Sequence, residues 1–416
     1  MKLLKVVFGL LGVTTQLLLV PAQAAPLDEV TATSKVEVLT GIDVLEARNF
    51  DVLRGKRVGL ITNQTGRNRA GVATIDILQR ASGMKLVALF SPEHGVRGQV
   101  TAGAHVKNSR DQATGLPVYS LYGQTTQPTK TMLKGIQTLV FDMQSIGSRS
   151  YTFLATLEKC RKATAENNID FVVLDRPNPL GGAVEGNIPQ NFSFVCPFPI
   201  PYRTGLTLGE TARWLNARAA KKCRLTVVPL QNYRRQPFEQ TGLKWTRTSP
   251  NIPRSTSAYF YQATGLLGEL PALSIGIGTN NPFELAGAPG LNANALAARL
   301  NARRLPGWSF RAASWTPTKG RHAKKRCQGV QILLTNPRIA QTTRLNFEIY
   351  AAVRQVAPQI EFFGAARNNA MFDMVCGTKE IRRLMQQGQS VDAVWSVWNR
   401  GAETFKKQSA PFRLYD

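Results

Sequence analysis

Glu93 follows the apolar run that ends in Phe90-Ser91-Pro92, and Glu185 comes shortly after Leu174-Asp175-Arg176-Pro177-Asn178-Pro179. Paired carboxyl groups are the equipment for glycoside hydrolysis: one protonates the leaving oxygen while the other activates water or attacks the anomeric carbon. A carboxyl that must carry a proton near neutral pH needs burial or a neighbouring carboxylate to raise its pKa. Glu93, just beyond an apolar strand, suits that requirement and is expected to be the general acid. On residues alone, Glu93 also suits a helix N-cap or a surface charge in a Ser-Pro turn, and Glu185, in a Gly-rich segment, suits a surface residue. Both alternatives stay open at this point.

Other polar side chains gather in the same way after successive apolar runs. Asn63 and Gln64 follow the first, His94 and Arg97 the second, Gln144 and Arg149 the third, and Asp175, Arg176 and Asn178 the fourth. Ligands of open α/β sheets bind beyond the carboxyl ends of the strands, and amides, carboxylates and guanidinium groups there suit a hydroxyl-rich, partly anionic ligand such as a sugar derivative. The three histidines, His94, His105 and His322, lack metal-ligand spacing. There is no G-x-S-x-G elbow and no phosphate-cradling loop, and Gly276-Ile277-Gly278 lacks the third glycine of a dinucleotide fingerprint. The chemistry expected is therefore carboxylate chemistry without cofactor or metal.

The elements that must carry these residues are legible as short apolar runs over Arg57–Gln64, Lys85–Pro92, Thr138–Gln144, Asp170–Pro177 and Leu225–Leu230. Runs of this kind read as strands covered on both faces, the mark of a parallel sheet. Helical patterns lie between them over Thr74–Gln79, Pro128–Ile136, Tyr151–Asn168 and Thr207–Lys222, the last opening on a capping box of Thr207 and Glu210. After about residue 245 prolines and glycines break the alternation. A second set then follows: helices over Asn292–Arg304, Leu345–Val356 and Val391–Trp398, and a strand over Val330–Thr335. The expected fold is α/β, a Rossmann-like, mostly parallel sheet with helices on both faces over residues 25–245, plus a smaller α/β subdomain over 246–416 that closes the cleft.

Residues 1–24 read as an export signal: Lys2 and Lys5, an apolar stretch from Val6 to Val20, and Ala22-Gln23-Ala24 before the cleavage point. Cleavage would leave a periplasmic or secreted protein with no integral membrane segment. The chain carries a formal charge of +26, and so basic a surface attracts polyanions. The cations are dispersed, and Arg321–Arg326 has no interleaved aromatics, so nucleic acid is not expected; a plain solvated surface, or contact with the anionic cell envelope, fits better. Five scattered cysteines without a C-x-x-C pair read as thiols rather than as a disulfide framework or metal site.

Longer motifs carry a resemblance. Ile61-Thr62-Asn63-Gln64-Thr65-Gly66, Phe90-Ser91-Pro92-Glu93-His94-Gly95-Val96-Arg97-Gly98, Leu116-Pro117-Val118-Tyr119-Ser120-Leu121-Tyr122-Gly123 and Leu174-Asp175-Arg176-Pro177-Asn178-Pro179 resemble the bacterial exo-β-N-acetylmuramidases of the NamZ type. So do Val184-Glu185-Gly186, Ser249-Pro250-Asn251-Ile252-Pro253 and Pro282-Phe283-Glu284-Leu285-Ala286-Gly287-Ala288-Pro289. The resemblance implies a cleft between a Rossmann-like domain and a smaller subdomain, and release of N-acetylmuramic acid from non-reducing ends of peptidoglycan fragments. It implies Glu93, with Glu185 second, as catalytic carboxylates. Asn63, Gln64, His94, Arg97, Gln144, Arg149, Tyr151, Asp175, Arg176 and Asn178 would line the sugar pocket, with arginine binding the lactyl carboxylate through two hydrogen bonds. Where the family has an acidic residue and a histidine, this chain has Ser145 and Thr204; Gly268-Glu269-Leu270-Pro271 and Gly276-Ile277-Gly278-Thr279 also depart from its pattern. These departures admit two other readings: a catalytically weak muropeptide-binding protein, or an exo-glycosidase for a different amino sugar.

Overall fold

Each of the five apolar runs forms a strand. The computed structural model describes residues 37–93, 95–97, 107–364 and 366–416; the expected export signal (residues 1–24) and His94 lie outside them. In chain order the large sheet contains β1 (Arg57–Thr62), β2 (Lys85–Ser91), β3 (Ser109–Arg110), β4 (Pro117–Ser120), β5 (Thr138–Asp142), β6 (Asp170–Leu174) and β7 (Leu225–Val228). Their spatial order is β3-β4-β2-β1-β5-β6-β7, parallel except for β3. From β1 the chain winds outward through β2 to β4, then returns to the other flank of β1 with β5 and continues to β7. The β1/β5 junction is therefore the point where strand order reverses, and the crevice beyond it is where such sheets take ligands.

Alternation along the strands explains why both faces are apolar. Val58 and Leu60 of β1 pack with Ile42 and Leu45 of α1 (Gly41–Ala47) and with Ile75, Ile77 and Leu78 of α2 (Thr74–Arg80). Ile61, Phe141, Phe171 and Val173 face the other way, against Leu154 and Leu157 of α3 (Phe153–Glu166) and Ala212 and Leu215 of α4 (Leu208–Arg218). Each such fully buried side chain contributes about 1.5–3 kcal/mol. The Thr207–Glu210 capping box is present and starts α4. The segment Pro128–Ile136, expected as a helix, is a run of turns: Lys134 and Ile136 donate to carbonyls three residues back, and Gly135 adopts φ +77°. These three-residue turns and a left-handed glycine prevent a regular α-helix from propagating.

The same apolar cluster continues into the C-terminal half, and Glu37–Asp416 form one compact unit. There α5 (Ser257–Gly268) precedes an antiparallel sheet of β8 (Leu285–Ala288), β9 (Trp308–Trp315) and β10 (Cys327–Leu334), in the order β8-β10-β9. The helices α6 (Ala293–Ala302), α7 (Leu345–Val356), α8 (Ala366–Cys376), α9 (Glu380–Gln386), α10 (Val391–Trp398) and α11 (Ala402–Ser409) complete it. All five cysteines are buried free thiols. Among the described residues no helix is long and apolar enough to cross a membrane.

Candidate active site

At the β1/β5 junction the strand ends are stitched together by side chains. Asn63, just past β1, accepts hydrogen bonds at Oδ1 from the Thr65 amide (2.9 Å) and hydroxyl (2.6 Å), and the Thr65 hydroxyl in turn accepts from the Gln144 amide (2.9 Å) beyond β5. Gln144 Nε2 donates to the carbonyls of Ser145 and Pro177, reaching the end of β6. Gln64 Nε2 donates to the carbonyls of Arg247 and Thr248, which fastens the 245–250 segment over the crevice. The sequence expectation that Asn63, Gln64 and Gln144 meet at one sheet edge holds. A recess of about 60 Å³ opens beside them, lined among others by Thr65, Arg67, Gln144, Arg176, Lys244 and Trp245.

Half of each amide is left over. Asn63 Nδ2, Gln64 Oε1, Ser145 Oγ, Thr248 Oγ1 and Gln262 Oε1 are buried without a hydrogen-bond partner within the protein, and Gln262 Nε2 touches this edge by donating to the Gly147 carbonyl. The Tyr151 hydroxyl sits beside Thr248 and Ser249 without forming a hydrogen bond of good geometry. Leaving a polar group buried and unpaired costs about 1–3 kcal/mol, so native proteins concentrate few of them in one place. Here six lie on segments that the bonds above connect. A ligand dense in hydroxyl and amide groups would pair them.

Glu93 is held at the N-terminus of α3. The Thr152 hydroxyl, at the N-cap position, donates to Glu93 Oε2 (2.8 Å) instead of capping its own helix. The Tyr122 phenol neighbours this carboxylate; burial first, and Glu93 second, hold that phenol above its usual pKa. Two residues before Thr152, the Ser150 hydroxyl lies 3.0 Å from both the Tyr202 and the Tyr261 hydroxyls. Tyr151, between them, meets the Tyr261 ring edge-on at 6.1 Å. Sequence reasoning did not single out Tyr122, Ser150, Thr152, Tyr202 or Tyr261; the placement of Ser150-Tyr151-Thr152 at the mouth of a helix after β5 was the available signal.

The remaining expected site residues are committed elsewhere. Glu185 accepts from Arg203, from the Thr342 and Thr343 amides and from both threonine hydroxyls, so the carboxylate expected as a second catalyst is saturated inside the protein. Arg149, fully buried, donates to the carbonyls of Asn187, Ile200, Val375 and Cys376 and to Asn187 Oδ1. It ties the β5 loop to α8 and does not line an open pocket. Burial lowers its pKa. Arg97 grips Asp111 with two 2.9 Å bonds, which raise the arginine's pKa and lower the aspartate's. Arg176 grips Asp142 in the same way, although it also borders the recess. Asp175 lies at the start of α4, accepting from Thr207, Tyr415 and the Gly209 amide, and burial pushes it up to about 6, with Glu210 adding to the effect. Asn178 braces the turn after β6 through the Leu206 carbonyl and the Leu180 amide. Among the described residues no group of three or more metal-binding side chains converges.

Comparison with known proteins shows where this arrangement belongs. Residues 58–256 match the model of the exo-β-N-acetylmuramidase NamZ N-terminal domain, and residues 259–415 match that of its C-terminal domain. The chain belongs to the NamZ family, and with it to the glycoside hydrolases. The peptidoglycan β-N-acetylmuramidase NamZ of Bacillus subtilis (strain 168) is 40% identical over 399 residues, covering 95% of each chain. Two crystal structures of DUF1343 family proteins from Bacteroides fragilis share the fold. One has a TM-score of 0.88 at 42% identity, covering 92% of this chain and all of the other. The second has 0.74 at 29%, covering 91% and 99%. Within this NamZ-family chain, Ser145 and Thr204, expected as departures from the family pattern, border one small recess together with Gly147, Arg176 and Asn178. Two positions far apart in sequence thus meet at one spot, where Gly147 (φ +72°) lets the chain pass within contact of Asn178.

Proposed function

We propose that the protein is an exported exo-acting glycoside hydrolase that releases N-acetylmuramic acid from the non-reducing ends of peptidoglycan fragments in the periplasm or outside the cell. Its muramidase-like character follows from the family; the end released, the sugar and the location are this proposal's own. The observation that carries it is the set of unpartnered amide and hydroxyl groups at the β1/β5 junction, beside a carboxylate that the Thr152 hydroxyl holds in place and the Tyr122 phenol neighbours. An N-acetylated sugar offers an amide and several hydroxyls to such a surface. Glu93 is one of the two carboxyls that work on the glycosidic bond. With Arg97, Arg149 and Arg176 engaged, Arg67 is the arginine bordering the recess that bonds only main-chain carbonyls, those of Gln64 and Gly71, and it is assigned the lactyl carboxylate. The +26 charge favours approach to an anionic wall.

The test is hydrolysis of a chromogenic β-N-acetylmuraminide and of a muramyl disaccharide by the leaderless chain. Activity that falls by about 10²-fold or more in Glu93→Gln supports the reading. A wild type that binds the disaccharide and never cleaves it replaces hydrolysis by binding. Cleavage of glucosaminides but not muraminides moves the specificity to another amino sugar.

A further inference from the structure

We propose that Glu269 is the second catalytic carboxyl of the Glu93 crevice and the one that delivers a proton to the glycosidic oxygen. This rests on the reading of Glu93 as a glycosidase carboxylate and supplies the partner that Glu185, with its oxygens saturated, cannot be.

Tyr261, Gly265 and Glu269 are four residues apart and share a helix face. A Cβ on Gly265 would lie 3.4 Å from the Tyr202 hydroxyl oxygen and 3.8 Å from the Tyr261 ring, ordinary contact distances, so this face of α5 packs against the Tyr202 hydroxyl. Glu269 follows one turn later, at the C-cap, where its charge acts on Tyr202 and Tyr261. Those two hydroxyls converge on Ser150, and Thr152, two residues on, holds Glu93. Glu93 acts electrostatically on Tyr151, whose ring meets that of Tyr261. The three residues Ser150-Tyr151-Thr152 therefore link the surroundings of both carboxyls.

The environments of the two differ as an acid–base pair requires. Glu93 receives the Thr152 hydroxyl. Glu269 is half-buried, and among the described residues no hydrogen bond reaches its carboxyl. The charged and titratable groups acting with it are Arg321, Tyr202, Tyr261 and Cys376. Burial pushes it up to about 7 against the opposing pull of Arg321, which keeps a proton on it in mildly acidic to neutral solution. In the reaction the bond from the anomeric carbon to the leaving oxygen breaks, its electron pair stays on that oxygen, and the oxygen takes the Glu269 proton. Water adds to the anomeric carbon as hydroxide, and its remaining proton returns to the carboxyl pair, so the enzyme ends as it began.

The experiment compares wild type, Glu269→Gln, Glu269→Asp and Glu93→Gln on two substrates: a muramyl-glucosamine disaccharide, whose leaving group needs a proton, and 4-nitrophenyl β-N-acetylmuraminide, whose leaving group does not. Folding of each is checked by circular dichroism and urea midpoint. In Glu269→Gln, kcat/KM for the disaccharide should fall by about 10²–10⁴-fold, the aryl glycoside should lose far less, and the wild-type decline of rate near pH 7 should vanish. Glu269→Asp should keep that pH limb at reduced rate. A folded Glu269→Gln that cleaves the disaccharide at wild-type rate, or that slows equally on both substrates with an unchanged pH profile, overturns the assignment. If Glu93→Gln is then still inactive, the reading of Glu93 stands alone; an inactive wild type sinks both.

Discussion

Replacing Glu185 by Gln should destabilise the protein while leaving its chemistry intact. The carboxylate and Arg203 are 9% and 3% exposed, and their ion pair is extended by four donors from Thr342 and Thr343, the second of which also accepts from Trp398 Nε1. This knot joins the Gly-rich turn after β6 to the start of α7 and to α10. Removing one partner of a buried pair costs about 3–5 kcal/mol because the other charge is left uncompensated. The Gln side chain retains one acceptor oxygen, so the expected loss lies near about 3 kcal/mol, a large share of the roughly 5–15 kcal/mol that holds a domain together. Urea unfolding followed by tryptophan fluorescence reads it directly, and a cycle with Arg203→Met should show coupling of more than about 1 kcal/mol. At temperatures where the variant is folded, kcat should stay within about threefold of wild type, since no transition-state contact has been removed. Unchanged stability together with a hundredfold loss of kcat would refute the structural role and return Glu185 to the reaction.

Three further outcomes follow from named bonds. Asp175 has a folded-state pKa of about 6 against 3.8 for the free group. The folded form therefore holds the extra proton between these values, and the contribution present below about pH 4 is lost as pH rises through about 6. The stability difference between wild type and Asp175→Asn should shift by on the order of 2–3 kcal/mol between pH 4 and pH 7, and parallel urea-midpoint curves over that range would contradict the assignment. Arg67→Gln should raise KM for a muramyl substrate about 10–100-fold with little change in kcat, the worth of one charge-assisted contact, and leave a glucosaminide unaffected; equal effects on both sugars would remove Arg67 from lactyl recognition. Thr207→Ala removes the oxygen that accepts from the Glu210 amide and the hydroxyl that donates to Asp175. A cost of about 1–2 kcal/mol in urea unfolding is expected, and a cost below about 0.5 kcal/mol would mean α4 starts without its cap.

The central parallel strands β1, β2, β5 and β6 were legible because each is largely buried on both faces and so reads as an apolar run, as Thr138–Asp142 does with all five residues buried. The strands of the small antiparallel sheet were mostly not, because β9 carries only a partly covered pattern of buried and half-exposed residues that resembles loop composition over so short a length. The edge strand β3 is two residues long, and its neighbour β4 alternates half-buried with buried residues over four positions instead of forming an apolar run. The starts of helices with sequence-coded caps, such as Thr207 before α4 and Asn292 before α6, fell within a residue of expectation, while their ends came earlier than expected. Pro128 suggested another where Gly135 prevents it.

The site divides along a different line. Position relative to a strand end follows from local sequence, which is why Asn63, Gln64, Gln144 and Glu93 come out at the crevice edge. Partner choice does not, because it is decided by residues distant in the chain. Arg97 meets Asp111 and Arg176 meets Asp142, and in each case a side chain with the chemistry to bind a carboxylate already holds one. Asp111 and Asp142 are both buried, so an arginine that let go of either for a sugar acid would abandon a charge with no water to return to. Recognition of an anionic sugar by this fold must therefore come from cations at the rim, such as Arg67, whose hydrogen bonds to carbonyls leave its charge unspent. The buried arginines instead set the rigidity of the loops on which the unpartnered amides and Glu93 are displayed.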